Sequence, residues 1–167
     1  MAAIEFDLVE RSEHPLDVVE RLAALRDWSF DRADENEISI SVESGRADYQ
    51  VAITWLEEME ALHVACAFDL KVAPRRRTEI NELVSLINET LWVGHFDLWP
   101  REDAVMFRHS LLLAGGAEPN GPQCETLLKV AVDACDRYYQ AFQFVLWAGK
   151  SPADALAGAM FETVGEA

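Results

Sequence analysis

Apolar and polar positions change period several times along this chain, and each change marks an element. From Pro15 the apolar residues Leu16, Val19, Leu22, Ala23 and Leu25 recur at helical spacing, with Asp17, Glu20, Arg21 and Arg26 between them. The spacing predicts an amphipathic surface helix with Pro15 in its opening turn, and Trp28 and Phe30 are expected to anchor its end. The period then drops to two. Ile38, Ile40 and Val42 alternate with Glu37, Ser39, Ser41 and Glu43, and after a turn at Ser44-Gly45-Arg46 so do Tyr49, Val51, Ile53 and Trp55. An acidic turn, LEEMEA, leads to Leu62, Val64, Cys66, Phe68 and Leu70. Three half-buried strands joined this closely form an antiparallel meander. The opposite face of the third presents His63, Ala65 and Ala67, small enough that it is expected to be covered as well.

Pro74 ends the meander, and Ile80, Leu83, Val84, Ile87 and Leu91 mark a second helical stripe that Gly94 is expected to stop. HFDLW and AVMFRHSLLL then form a hairpin around Pro100-Arg101-Glu102-Asp103, where a residue without an amide hydrogen suits a strand end. Gly115-Gly116 breaks the strand. A long helix opens at NGP and carries Leu127, Leu128, Ala131, Cys135, Tyr138, Phe142, Val145 and Leu146 on about seven turns. Gly149 and Ser151-Pro152 stop it and start a short final helix. The order α-βββ-α-ββ-α-α predicts an α+β fold, an antiparallel sheet of about five strands packed by helices. The chain of 167 residues suits one core, so residues 1–167 are read as a single domain.

Charge narrows the partners. Thirty acidic against fourteen basic residues give a net charge of -16, which repels the phosphate backbone, so no nucleic-acid partner is expected. Residues 1–60 hold sixteen acids and five bases, a face that serves solubility or docks a basic partner. No apolar run approaches the roughly 20 residues of a membrane span, and MAAIEFDLVERSEHP has acids where a signal peptide has bases. No membrane association and a cytoplasmic location are expected. Cys66, Cys124 and Cys135 are scattered among apolar or small residues, as buried reduced thiols are.

Arg75-Arg76-Arg77 opposes the dipole of the second helix, a cost of about 0.3–1 kcal/mol. The triplet is expected to pair with the acids of the first sixty residues, the alternative being a partner. His95 and Asp97 share a strand face, an arrangement that orients a general base or a metal ligand, yet no spacing implies a nucleophile or third ligand. His63 and His109 with Cys66 have the donor types of a zinc site without its close-pair spacings. Glu79 and Glu82 read as solvated charge, and Gly115-Gly116 lacks a phosphate-loop spacing. No catalytic residue, cofactor or metal follows from these patterns. The aromatic residues say more. Trp92, Phe96, Trp99 and Phe107 fall in one short helix-hairpin unit, and Tyr138, Tyr139, Phe142, Phe144 and Trp147 crowd more than one side of the long helix. Such a surplus fits a core packed on two sides, or an interface.

The wording LINETLWVGHFDLW, VMFRHSLLLAGG, CDRYYQAFQFVLWAGKSP and the terminal MFETVGEA closely resembles the bacterial YbjN-like family of sensory transduction regulators, from about residue 14 to 167. The resemblance implies a fold like that of type III secretion chaperones, commonly homodimeric, and a role in regulatory or chaperone-like protein binding without catalysis. A homodimer with a protein or peptide partner is therefore expected, its contact on the second helix and hairpin around Trp92, Phe96, Trp99 and Met106. The competing expectation is a small-molecule sensor or enzyme with a pocket around His95, Asp97 and His109.

Overall fold

The computed structural model describes residues 10–165, with side chains through residue 161. Helix α1 (Pro15–Leu25) begins with Pro15 in its first turn and His14 as N-cap, the imidazole Nδ1 accepting the Leu16 amide at 3.1 Å. It leads into β1 (Ser29–Asp34), β2 (Glu37–Glu43), β3 (Asp48–Leu56) and β4 (Ala61–Lys71), then α2 (Arg77–Asn88). The hairpin β5 (His95–Trp99) and β6 (Ala104–Leu112) precedes α3 (Gly121–Leu146) and α4 (Pro152–Gly165). Asn120 and Gln123 close a reciprocal capping box on α3, each side chain bonding the other's backbone, which satisfies two otherwise orphaned amides.

The α+β class and antiparallel sheet agree with the sequence pattern, but the sheet has six strands, ordered β1-β2-β3-β4-β6-β5 and antiparallel throughout. The additional strand is β1. Trp28 and Phe30 were expected to anchor the end of α1, and Phe30 instead sits in this edge strand, opposite Ile40 of β2. All but one residue of β1 are exposed, so SFDRAD carries no alternation to read; its strand geometry comes from the bonds β2 offers.

Helices cover one side of the sheet. Ile38, Ile40, Val51, Ile53, Val64 and Cys66 are fully buried beneath α1 and α3, while Phe96 and Phe107 bury beneath α2 and α3. The other face was expected to be covered. It stays half-exposed at Ser39, Ala52, Thr54, His63, Ala65 and Ala67, and no helix among the described residues packs on it. Helix α2 ends at Asn88, before the expected stop at Gly94, because Thr90 and Leu91 already turn back on Ile87 and Asn88.

Glu60 ties the β3–β4 turn to the loop after β6. Its carboxylate accepts the Gly115 and Gly116 amides at 3.1 and 3.3 Å and Arg11 Nη2 at 2.8 Å, and these bonds, Gly115's first, hold its carboxyl below the usual range. The Gly115-Gly116 amides are thus committed within the fold. Arg76 pairs with Glu79 at 3.1 Å and Arg77 with Asp103 at 2.8 Å. Two of the three arginines, Arg76 and Arg77, therefore answer acids of α2 and of the hairpin turn, and not those of the first sixty residues as expected, because the single 3-10 turn at residues 74–76 leads into α2 beside the β5–β6 turn. No helix among the described residues is long and apolar enough to cross a membrane.

Candidate functional site

Most of the sequence's candidate chemistry lies at the β5–β6 hairpin. Gly94 enters β5 with φ +69°, and a Cβ there would lie 2.3 Å from Phe107 Cζ. Only glycine fits both the backbone and the space. Two residues on, Asn88 at the end of α2 works as a substitute strand: Oδ1 accepts the Phe96 amide at 2.8 Å and Nδ2 donates to the Phe96 carbonyl at 3.0 Å. The outward edge of β5 is thereby sealed at Phe96, which protects an otherwise bare ladder.

On the helix-free face, side chains from three strands form one chain of contacts. His95 Nε2 lies 3.0 Å from Asp97 Oδ2, the same oxygen accepts Arg108 Nη1 at 3.2 Å, and Arg108 Nε donates to His63 Nε2 at 3.1 Å. A guanidinium only donates, so His63 Nε2 must accept, and the imidazole is neutral with its proton on Nδ1. Burial, then Arg108, then His95 lower the His63 pKa below its ordinary value. The Arg108 guanidinium also lies 5.5 Å from the Trp99 ring centroid, within cation–π reach. The arrangement fixes one neutral imidazole and one carboxylate beside a cation whose Nη2 has no bonded partner among the described residues. It can recognise an anion or an acceptor. Neither imidazole is bonded to a hydroxyl or thiol among the described residues.

The structure brings together His95 and Asp97, but His109 sits at the odd positions of β6, opposite Val64, on the side that carries the helices. His63 and Cys66 likewise occupy opposite faces of β4, and Cys66 is fully buried. Among the described residues no three His, Cys, Asp or Glu side chains converge as metal ligands. Cys124 and Cys135 are buried too; desolvation pushes the Cys124 thiol up to about 11 and Cys135 upward as well, away from thiolate reactivity. Glu79 is held by Arg76, while Glu82 stands exposed.

The four residues expected at an interface are placed very differently. Phe96 is fully buried, stacked 5.8 Å from Phe68 and ringed by Phe107, Tyr138 and Phe142, so it belongs to the core and has no surface to offer a partner. Met106 is 8% exposed. Trp99 is half-buried beneath Arg108, whereas Trp92 is 86% exposed on the turn between α2 and β5. Trp92 is one wall of a groove of about 440 Å³ whose other walls are Val130, Asp133 and Arg137 of α3 and Leu156 and Met160 of α4. Phe161 of α4 is 81% exposed, with Ala153 and Ala157 also outward on that helix. Sequence reasoning missed Leu156, Met160 and Phe161. The available signal was PADALAGAMF, a helix with apolar residues on every side and a single charge.

A family model, YbjN, described as "Putative bacterial sensory transduction regulator", matches residues 15–144, more than half of the chain. In fold, the chain is similar to the crystal structure of YbjN from E. coli, described as "a putative transcription regulator", with a TM-score of 0.52 at 11% sequence identity, covering 71% of this chain and 84% of that one. At that identity the likeness concerns the fold. No curated protein matches.

Proposed function

The chain belongs to the YbjN family, and on that premise we propose that it is a cytoplasmic regulatory module that acts by binding a segment of another protein, in the manner of a chaperone-like adaptor, and not by catalysis. The observation that carries this reading is the groove beside Trp92. An indole 86% exposed, lining with Leu156 and Met160 a groove of about 440 Å³, is apolar area that a folded chain ordinarily hides. Exposed aromatic and methionine side chains of this kind anchor interfaces. The groove runs between two helices, a shape that takes the apolar face of an amphipathic helix. With a net charge of -16, the surface around it favours a client whose polar face is basic.

We place the contact of a homodimer on the half-exposed sheet face, where Ala52, Ala65 and Ala67 leave room for a close neighbour and Trp99 lies on the edge strand β5. Native-lysate affinity purification with cross-linking mass spectrometry, run on wild type, Trp92→Glu and Trp99→Glu, tests both halves. A reproducible client lost in Trp92→Glu, and a mass halved in Trp99→Glu by light scattering, are the expected results. A client recovered equally from Trp92→Glu would sink the groove as its site.

A further inference from the structure

The end of β6 has an open stretch of ladder among the described residues, and it lies between two depressions of different chemistry. Strand β5 pairs with β6 only as far as His95 opposite Arg108, after which the chain turns away at Gly94. Strand β6 continues to Leu112, held on its other side by β4. The Leu113 amide bonds the Glu60 carbonyl at 2.7 Å on the β4 side. Because successive residues of an antiparallel strand turn their backbone groups to opposite neighbours, Ser110 and Leu112 turn theirs away from β4, into the space that β5 has vacated. Neither residue's backbone has a hydrogen-bond partner among the described residues. The edge of β5, by contrast, is sealed at Phe96 by Asn88.

The two depressions lie either side of that stretch. On the helix side a hollow of about 350 Å³ is walled by Trp92, Val93, Leu111, Thr126, Leu127 and Val130. On the open side one of about 370 Å³ is walled by His63, His95, Arg108, Ser110 and Leu112. An added strand sends successive side chains to opposite faces, one into each hollow. The first hollow takes an apolar side chain. The second is lined by Arg108 and three histidines, His63, His95 and His109, with no carboxylate among its lining residues, and Arg108 Nη2 is without a partner among the described residues. Asp97 occupies Nη1 alone.

We propose that β6 from Ser110 to Leu112 is a strand-addition site for an extended partner segment in which apolar and acidic side chains alternate. The acidic side chain bonds Arg108, its apolar neighbour enters the hollow against α3, and the segment's backbone completes the ladder of Ser110 and Leu112. The inference deepens the protein-binding reading with a second site, distinct from the groove by its occupant: an extended acidic segment here, a basic helix there.

The probe is a fluorescein-labelled heptapeptide alternating valine and glutamate, compared by anisotropy with the same peptide carrying lysine for glutamate and with one N-methylated at alternate residues. The full chain should bind the glutamate peptide about tenfold more tightly than the lysine peptide, the worth of one charge-assisted hydrogen bond. Arg108→Glu should reverse that order, and N-methylation should abolish binding. Hydrogen exchange should slow at the Ser110 and Leu112 amides when the glutamate peptide is bound. Equal binding of both charges, tolerance of N-methylation, or protection elsewhere in the sheet would each overturn the proposal. Met160→Glu, in the wall of the groove and of neither hollow, serves as the control. Loss of peptide binding in it, with Arg108→Glu unaffected, would assign the peptide to the groove, overturning strand addition while leaving the protein-binding reading intact. An N-terminal truncation lacking residues 1–9 that alone binds the peptide would make the chain's own segment the occupant and so overturn the choice of a partner.

Discussion

Replacing Phe96 with Ala separates core from interface more sharply than any other single change in this molecule. The ring is fully buried and meets four others: Phe68 at 5.8 Å, stacked with an interplanar angle of 11°, Phe107 at 5.3 Å, Phe142 at 5.6 Å and Tyr138 at 6.0 Å. Truncating a buried Phe costs about 3–5 kcal/mol, the lost transfer free energy plus a cavity the surroundings only partly fill. Four ring pairs, each worth about 0.5–1.5 kcal/mol, place this site toward the upper end, inside that figure and not on top of it. The Asn88 bonds to the Phe96 backbone survive the change, so the loss is one of packing. A domain of this size shifts its Tm by about 2–4 °C per kcal/mol, so Phe96→Ala should melt about 6–20 °C below wild type. Trp92→Ala, at a residue 86% exposed, should stay within about 0.5 kcal/mol. Urea denaturation of both variants, with the slope checked for constancy, measures the two losses. A Phe96→Ala variant within about 1 kcal/mol of wild type, or a Trp92→Ala variant equally damaged, would refute the assignment of Phe96 to the core and Trp92 to the surface.

Three further outcomes follow from the same contacts. Burial and Arg108 disfavour the His63 imidazolium in the fold, so as pH falls through about 6.5 the unfolded chain takes up its proton first and stability declines. His63→Gln should flatten that decline between pH 7 and 5, as read from denaturation midpoints; an unchanged slope would exclude His63 as its source. Gly94→Ala combines a positive φ with a Cβ 2.3 Å from Phe107 and should cost about 2–4 kcal/mol, and a loss under about 1 kcal/mol in urea titration would contradict the close approach. Cys66, Cys124 and Cys135 are all buried, with the Cys124 thiol near 11, so iodoacetamide at pH 8 should label none of them in the native protein and all three in denaturant. Rapid native alkylation, seen by mass spectrometry, would show that one is accessible.

The local pattern of the chain determined which elements form and which side of each is apolar. The stripes of α1 and α3, the alternation of β2, β3 and β4, and the turn around Pro100 are written in spacings of a few residues, and the structure keeps them. Strand β1 has no such pattern, since it is exposed on both sides and exists as a strand through its pairing with β2. The sequence showed that His95 and Asp97 share a face; that Arg108 and His63 join them depended on β6 lying between β4 and β5. It showed an aromatic surplus around Trp92, Phe96, Trp99 and Met106, but not that the helices would cover Phe96 and leave Trp92 beside α4. Nor did it show that β5 would stop short of the end of β6 and leave the Ser110 and Leu112 backbones unpaired among the described residues. Periodicity is a property of neighbours in the chain and reports the amphipathic face of an element. What covers that face is set by contacts between residues far apart in sequence, where burial of apolar area and closure of the hydrogen-bond ladder are decided together, and only the tertiary structure records that choice.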